Sequence, residues 1–181
     1  MKNFTFSAIA LLLVGGLLVA FSQPKPVQKP ATEVKWLTFE QAVELNKTNP
    51  KKIAIDVYTE WCGWCKRMDA STFQDAEVTK YLAENFHCVK LDAEQKADIK
   101  FNGQTFNYVL PEGQKRGINT FAYSLLDGKL GYPTIVYLNE KFERIMISPG
   151  YKEVPDMMKE LHFAADEIWK TKTWEDYKAG K

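Results

Sequence analysis

The sequence predicts an α/β sandwich, a mixed central sheet with helices on both faces. Three observations carry that reading. Lys52 to Tyr58 is apolar and β-branched almost throughout, the pattern of a strand buried on both sides. Strand and helix patterns then alternate, and the alternation ends in two strands joined by the short turn Asn139-Glu140-Lys141. Between the first buried strand and the next helix stands Trp61-Cys62-Gly63-Trp64-Cys65-Lys66, two cysteines two residues apart at a strand-to-helix junction.

Length and charge set the bounds. A chain of 181 residues suits one domain with a core that needs no staples. A formal charge of +1 gives no electrostatic case for nucleic acid as a partner. Lys2 followed by the uncharged run Ala8 to Phe21 has the form of an export segment, since about fourteen residues fall short of the roughly twenty a membrane span needs. Ala20 and Ser22 suit cleavage before Gln23, and an uncleaved N-terminal anchor is the alternative. The expected organisation is an export segment over 1–22, a proline-rich tether over 23–33, the folded domain over 34–170 and a tail over 171–181.

The elements follow in order. Val34 to Trp36 reads as a short first strand, and Thr38 to Gln41 has capping-box spacing at the start of a short helix that Asn49-Pro50 ends. Lys52 to Tyr58 is the central strand. The helix after the cysteines runs through Met68. A second helical pattern from Asp75 puts Val78, Tyr81, Leu82 and Phe86 on one face, and His87 to Asp92 is a further strand. Ala93 to about Gly117 is an irregular insert, with a hairpin signal at Asn102-Gly103 between Phe101 and Phe106 and a turn at Pro111-Glu112-Gly113. Ile118 to Leu126 reads as a helix, Ile135 to Leu138 and Phe142 to Ile147 as antiparallel strands, and Val154 to Trp169 as the last long helix. Trp174 and Tyr177 mark a helical tail.

The chemistry lies in the cysteine pair. Two cysteines at this spacing close a small disulfide ring at a helix N-terminus, where unpaired N–H groups and the helix dipole stabilise a thiolate. That is the setting of thiol–disulfide exchange. The competing reading, half of a zinc site, lacks a second pair, and His87 and Cys88 are neighbours on a strand and point to opposite faces. No metal and no cofactor is expected. Cys88 reads as a small core hydrophobe. His162 reads as surface or core filler on the last helix.

With these residues in hand, the chain over roughly 34–170 resembles the thioredoxin superfamily. It looks most like exported thioredoxin-like proteins and the C-terminal domain of the membrane thiol:disulfide interchange protein, a similarity carried by Trp61 to Lys66 with Thr72, Phe73 and Val78. The family pattern recurs in order: the cysteine pair, Asp56 six residues before it, Lys90 near the end of the third strand, Tyr132-Pro133-Thr134 at the cis-proline loop, and Gly150 after the last strand. The resemblance implies a three-layer thioredoxin-like sandwich, with the insert placed before the cis-proline loop. It implies that Cys62 attacks as thiolate and that Cys65 resolves the mixed disulfide. Asp56, raised by burial, would exchange a proton with Cys65 while Lys90 favours its charged form. Trp61, Gly63, Trp64, Tyr132, Pro133, Thr134 and Gly150 are the expected substrate-contacting residues, with Glu60 and Trp61 shaping packing and local field.

Two departures bear on function. Gly63-Trp64 places no cation between the cysteines, which argues against a strong oxidant. The insert is longer than a thioredoxin needs, and two readings stay open for it: a docking surface overhanging the cysteines, or a satellite core under a long loop. The expectation is an exported, periplasmic thiol–disulfide oxidoreductase in the reductase direction. Its partners would be protein disulfide substrates and a membrane electron donor. The alternative is a protein-binding or chaperone-like module with little turnover.

Overall fold

The computed structural model describes residues 33–181. The expected export segment over 1–22, and all but the last residue of the tether, lie outside the described residues. In chain order the first half contains β1 (Trp36–Leu37), α1 (Phe39–Asn46), β2 (Lys52–Tyr58), α2 (Gly63–Ala70), α3 (Ala76–Asn85) and β3 (Phe86–Asp92). The insert follows with β4 (Ile99–Phe101), β5 (Gln104–Phe106) and β6 (Tyr108–Val109). Then come β7 (Ile118–Asn119), α4 (Thr120–Leu125), β8 (Thr134–Leu138), β9 (Arg144–Pro149), α5 (Val154–Ala165) and α6 (Trp174–Lys178).

β2 lies at the centre of a five-stranded sheet of order β1-β3-β2-β8-β9. It runs parallel to β3, with Asp56 opposite Lys90, and antiparallel to β8. Alternation along β2 divides the core. Ile53, Ile55 and Val57 pack toward α1, α4 and the insert, while Ala54 packs with Met68, Leu82 and Leu161 of α2, α3 and α5. Asp56 follows the parity of Ala54, so it points to the α2 side.

Local chemistry sets the helix starts. Thr38 and Gln41 form the expected capping box, and the Asp75 carboxylate accepts the N–H groups of Glu77 and Val78. Ile118 and Asn119 are not helical, because the Asn119 side chain accepts the N–H of Phe121 and caps α4 one residue later. β9 starts at Arg144, two residues after the expected start, since Phe142 takes a left-handed turn conformation with φ 63. α5 stops at Ala165. Glu167 has φ 59, and a separate 3-10 turn covers Ile168–Lys170. Residues 171–181 are packed rather than trailing, with the rings of Trp174 and Tyr177 5.3 and 5.5 Å from that of Phe163.

The two ends of the insert lie differently. Phe101 and Phe106 join Phe39, Phe121 and Phe142 in the core beneath. The stretch from Pro111 to Gly117 instead walls the surface beside Trp61. Asn119, fully buried, ties down the start of the insert, with its side-chain N–H groups on the carbonyls of Gln95 and Ala97.

Candidate active site

Cys62 and Cys65 are joined by a disulfide at the start of α2. Cys62 is the N-cap of that helix, and its Sγ accepts the backbone N–H of Cys65 at 3.0 Å. A sulfur held there faces the positive end of the helix dipole and a directed N–H, both of which favour negative charge on Cys62. Cys62 is the less buried of the two, but only by a small margin. Both cysteines are buried, Cys62 at 5% exposure and Cys65 at 1%, while the flanking Trp61 and Trp64 stand exposed.

Asp56 lies beneath α2 with 1% exposure. Lys90 donates to its Oδ2 at 2.5 Å, and Oδ1 is buried with no hydrogen-bond partner. Burial lifts the Asp56 carboxyl to about 6, against the opposing pull of the Lys90 ammonium. The same ammonium also bonds Asp69 on α2, which ties that helix to β2 and β3. The rings of Trp36, Tyr58 and Phe73 surround it at 5.0 to 5.4 Å.

Aromatic side chains frame the disulfide from two sides. Trp61 meets Tyr132 edge to face at 6.0 Å, and its indole N–H donates to Glu94 at 2.9 Å. Trp64 packs on Tyr151 at 5.4 Å, with the Arg67 guanidinium over both rings. The Tyr132-Pro133 peptide is cis, and the Pro133 carbonyl accepts the N–H of Gly150 at 2.8 Å. Gly150 has φ +90, a conformation that suits glycine. Gly63 is exposed, with open space where a side chain would stand. Thr134 departs from this frame: it is buried, and its hydroxyl donates to the Gly131 carbonyl inside the loop. Glu60 is exposed beside Trp61.

Residues 20–172 match the Thioredox_DsbH family model, which is described as "Protein of unknown function, DUF255". The chain belongs to that family. Relatives agree with the assignment. The chain is 31% identical over 90 residues to Spermatogenesis-associated protein 20 of Mus musculus, and 29% identical over 130 residues to Thiol:disulfide interchange protein DsbD of Yersinia enterocolitica. Those matches take in 49% and 64% of this chain, but only 11% and 21% of the two longer relatives. Disulfide bond reductase DsbH of Chlamydia pneumoniae is 28% identical over 75 residues, 41% of this chain and 44% of that protein. Among solved structures, a DsbH oxidoreductase superposes with a TM-score of 0.52 at 20% identity, over 84% of this chain and 94% of that one. A thioredoxin-fold protein from Helicobacter pylori gives 0.56 at 20% identity, over 73% and 80%. The fold of this Thioredox_DsbH member is the thioredoxin fold, and its family is one of thioredoxin-like disulfide oxidoreductases.

Sequence reasoning missed three residues around the pair. Asp69 comes one helical turn after Cys65, a spacing that places it on the same face, yet its contact with Lys90 depends on how α2 crosses the sheet. Arg67 and Arg116 each set a guanidinium over one of the two tryptophans, at 5.0 and 4.5 Å. A cation therefore stands near the cysteine pair although none stands inside it. Elsewhere, Cys88 is buried, and burial pushes its thiol up to about 12. His162 lies at the surface of α5 against Asp166 and Tyr81. Among the described residues no group of three or more His, Cys, Asp or Glu is placed to hold a metal, and no helix is long and apolar enough to cross a membrane.

Proposed function

We propose that this protein is an exported thiol–disulfide oxidoreductase that reduces protein disulfides, with Cys62 as nucleophile and Cys65 as resolving thiol. The observation that supports it most is the disulfide at the N-terminus of α2 above a buried carboxylate with one unpartnered oxygen. A structural disulfide has no use for such an acid.

In the reduced protein the Cys62 thiolate attacks one sulfur of a substrate disulfide. An S–S bond forms between protein and substrate, and the other substrate sulfur leaves as a thiolate. Asp56, ionised above pH 6 or so, accepts the Cys65 proton. The Cys65 sulfur then attacks Cys62 Sγ, closing the Cys62–Cys65 disulfide and releasing the second substrate thiolate. The substrate gains two electrons and the protein pair loses them. The proton on Asp56 passes to solvent or to a departing thiolate. Lys90 holds Asp56 in place and limits how far burial raises it. Trp61, Trp64, Tyr132, Pro133 and Gly150 line the approach, and Thr134 supports that loop from inside.

Each cycle leaves the pair oxidised, so turnover needs a donor. Export over residues 1–22, a tether over 23–33, a periplasmic location and a membrane electron donor form one consistent reading. The decisive experiment equilibrates the protein against glutathione and reads the Cys62–Cys65 potential. A value near the thioredoxin end, about −270 mV, is expected. A value near −120 mV would make the protein a disulfide donor instead.

A further inference from the structure

We infer that the concavity beside Trp61 is a docking site for the substrate polypeptide, taking a large apolar side chain near the substrate cysteine with a carboxylate against Arg116. This rests on the oxidoreductase reading and names the class of segment that site would select.

The concavity holds about 480 Å³, within the range of ligand sites, and its walls include Trp61, Arg116, Ile118, Tyr123, Leu130 and Tyr132. Two of those residues are neighbours of the chemistry, since Trp61 precedes Cys62 and Tyr132 precedes Pro133. A chain crossing the disulfide therefore enters it within a residue or two, at about 3.3 Å per residue.

The apolar character is concentrated here. Of the seven large hydrophobic residues exposed on the described surface, five (Trp61, Val109, Leu110, Tyr123 and Leu130) line this concavity or lie in the strand and loop that reach it. The wall is also firm. A Cβ on Gly117 would stand 2.2 Å from the Val109 carbonyl, and the Gly117 N–H donates to the Tyr108 hydroxyl at 2.8 Å. A preformed wall lowers the ordering cost of binding.

Charge selects the occupant. The Arg116 guanidinium lies 4.5 Å from the Trp61 ring centroid and makes no ion pair with a carboxylate among the described residues. Glu94, the acid that lines the concavity, takes the Trp61 indole N–H. The cation at the rim is thus left for an incoming anion, and a carboxylate matches its planar fork.

The test uses the oxidised full chain and three short peptides in which serine replaces the cysteine, flanked by Leu-Asp, Leu-Lys or Ser-Lys. The Trp61 indole N–H resonance reports binding. The Leu-Asp peptide should bind about tenfold more tightly than the Ser-Lys peptide. In Arg116→Glu the Leu-Lys peptide should overtake the Leu-Asp peptide. Equal affinities, or an acid preference that survives Arg116→Glu, would overturn the inference. So would a dimer that sediments in the wild type and is lost in Leu130→Asp without any peptide preference, which gives the concavity to a second copy. Reduction of the cysteine-containing peptide disulfides, and of a small hydroxyalkyl disulfide, tests the parent reading separately. Turnover of all of them at equal rates with equal binding leaves the oxidoreductase reading and removes the docking site. Preference in binding with no turnover of any disulfide does the reverse.

Discussion

Two carboxylates are buried on the same side of the sheet, Asp56 at 1% exposure and Glu160 at 2%, and burial raises both. Their surroundings differ. Glu160 is saturated: the Ser148 hydroxyl donates to one oxygen at 2.5 Å, the Tyr137 hydroxyl to the other at 3.3 Å, and Lys152 stands 3.7 Å away. Asp56 has Lys90 on one oxygen and nothing on the other. A buried acid with filled acceptors holds strands and a helix together. A buried acid with an empty acceptor beneath a disulfide is free to take a proton. Burial alone does not separate structural from chemical carboxylates; the open acceptor is what makes Asp56 the candidate.

The largest expected effect separates the two acids by rate. Asp56→Asn keeps the shape and removes the base, so resolution of a mixed disulfide by Cys65 should slow about 100-fold or more at pH 7. Glu160 has no part in that step. Stopped-flow tryptophan fluorescence after mixing the reduced protein with a substrate disulfide measures it, and an unchanged rate in Asp56→Asn would remove Asp56 from the chemistry. Stability should move in opposite directions. Glu160→Ala leaves the Ser148 and Tyr137 hydroxyls without their carboxylate acceptor, removes the charge facing Lys152 and opens a cavity, a loss of roughly 4 kcal/mol.

Asp56→Asn should stabilise, and only at higher pH. The folded carboxyl sits at about 6 against an ordinary 3.8. A raised carboxyl contributes its full stability below the unfolded value and loses it as pH rises through the folded one. Roughly two units correspond to about 3 kcal/mol. Urea unfolding at pH 8 should therefore show Asp56→Asn more stable by about that amount, and at pH 3.5 the difference should close. A gain that persists at pH 3.5 would mean that packing rather than ionisation produced it.

The contrast between these acids also marks how far sequence carries. The bounds of β2, the capping box at Thr38, the Asp75 cap and the Asn102-Gly103 hairpin come from local chemistry, and local chemistry is written in order along the chain. Asp56 was legible as a candidate because its offset from Cys62 lies within one strand and one turn. Glu160 was not. Between Lys159 and Leu161 it reads as a solvent-facing charge on an amphipathic helix, and only the approach of Ser148 and Tyr137 from two strands makes it a buried one. Arg116 and Asp69 were missed for the same reason, since each acts through a partner on another element, and Arg67 takes its place through Tyr151 as well as through Trp64 on its own helix.

The finest difference lies within the Asp56 cluster itself, where one ammonium serves two acids. Lys90 bonds both Asp56 and Asp69, so Asp69 raises Asp56 by its own charge and also by sharing the cation. Asp69→Asn removes both influences, and each change lowers the Asp56 carboxyl below its present value of about 6. The resolving step should then begin to accelerate at lower pH, with the same plateau at high pH. The stability lost between pH 3.5 and pH 8 should shrink as well, because it follows the same shift. Lys90→Met should move both quantities the other way. A role for Asp69 in merely fixing α2 predicts something else: lower stability at every pH and no movement of the rate profile. Recording the profile in wild type and both variants decides whether the half-buried acid on α2 tunes the buried one on β2.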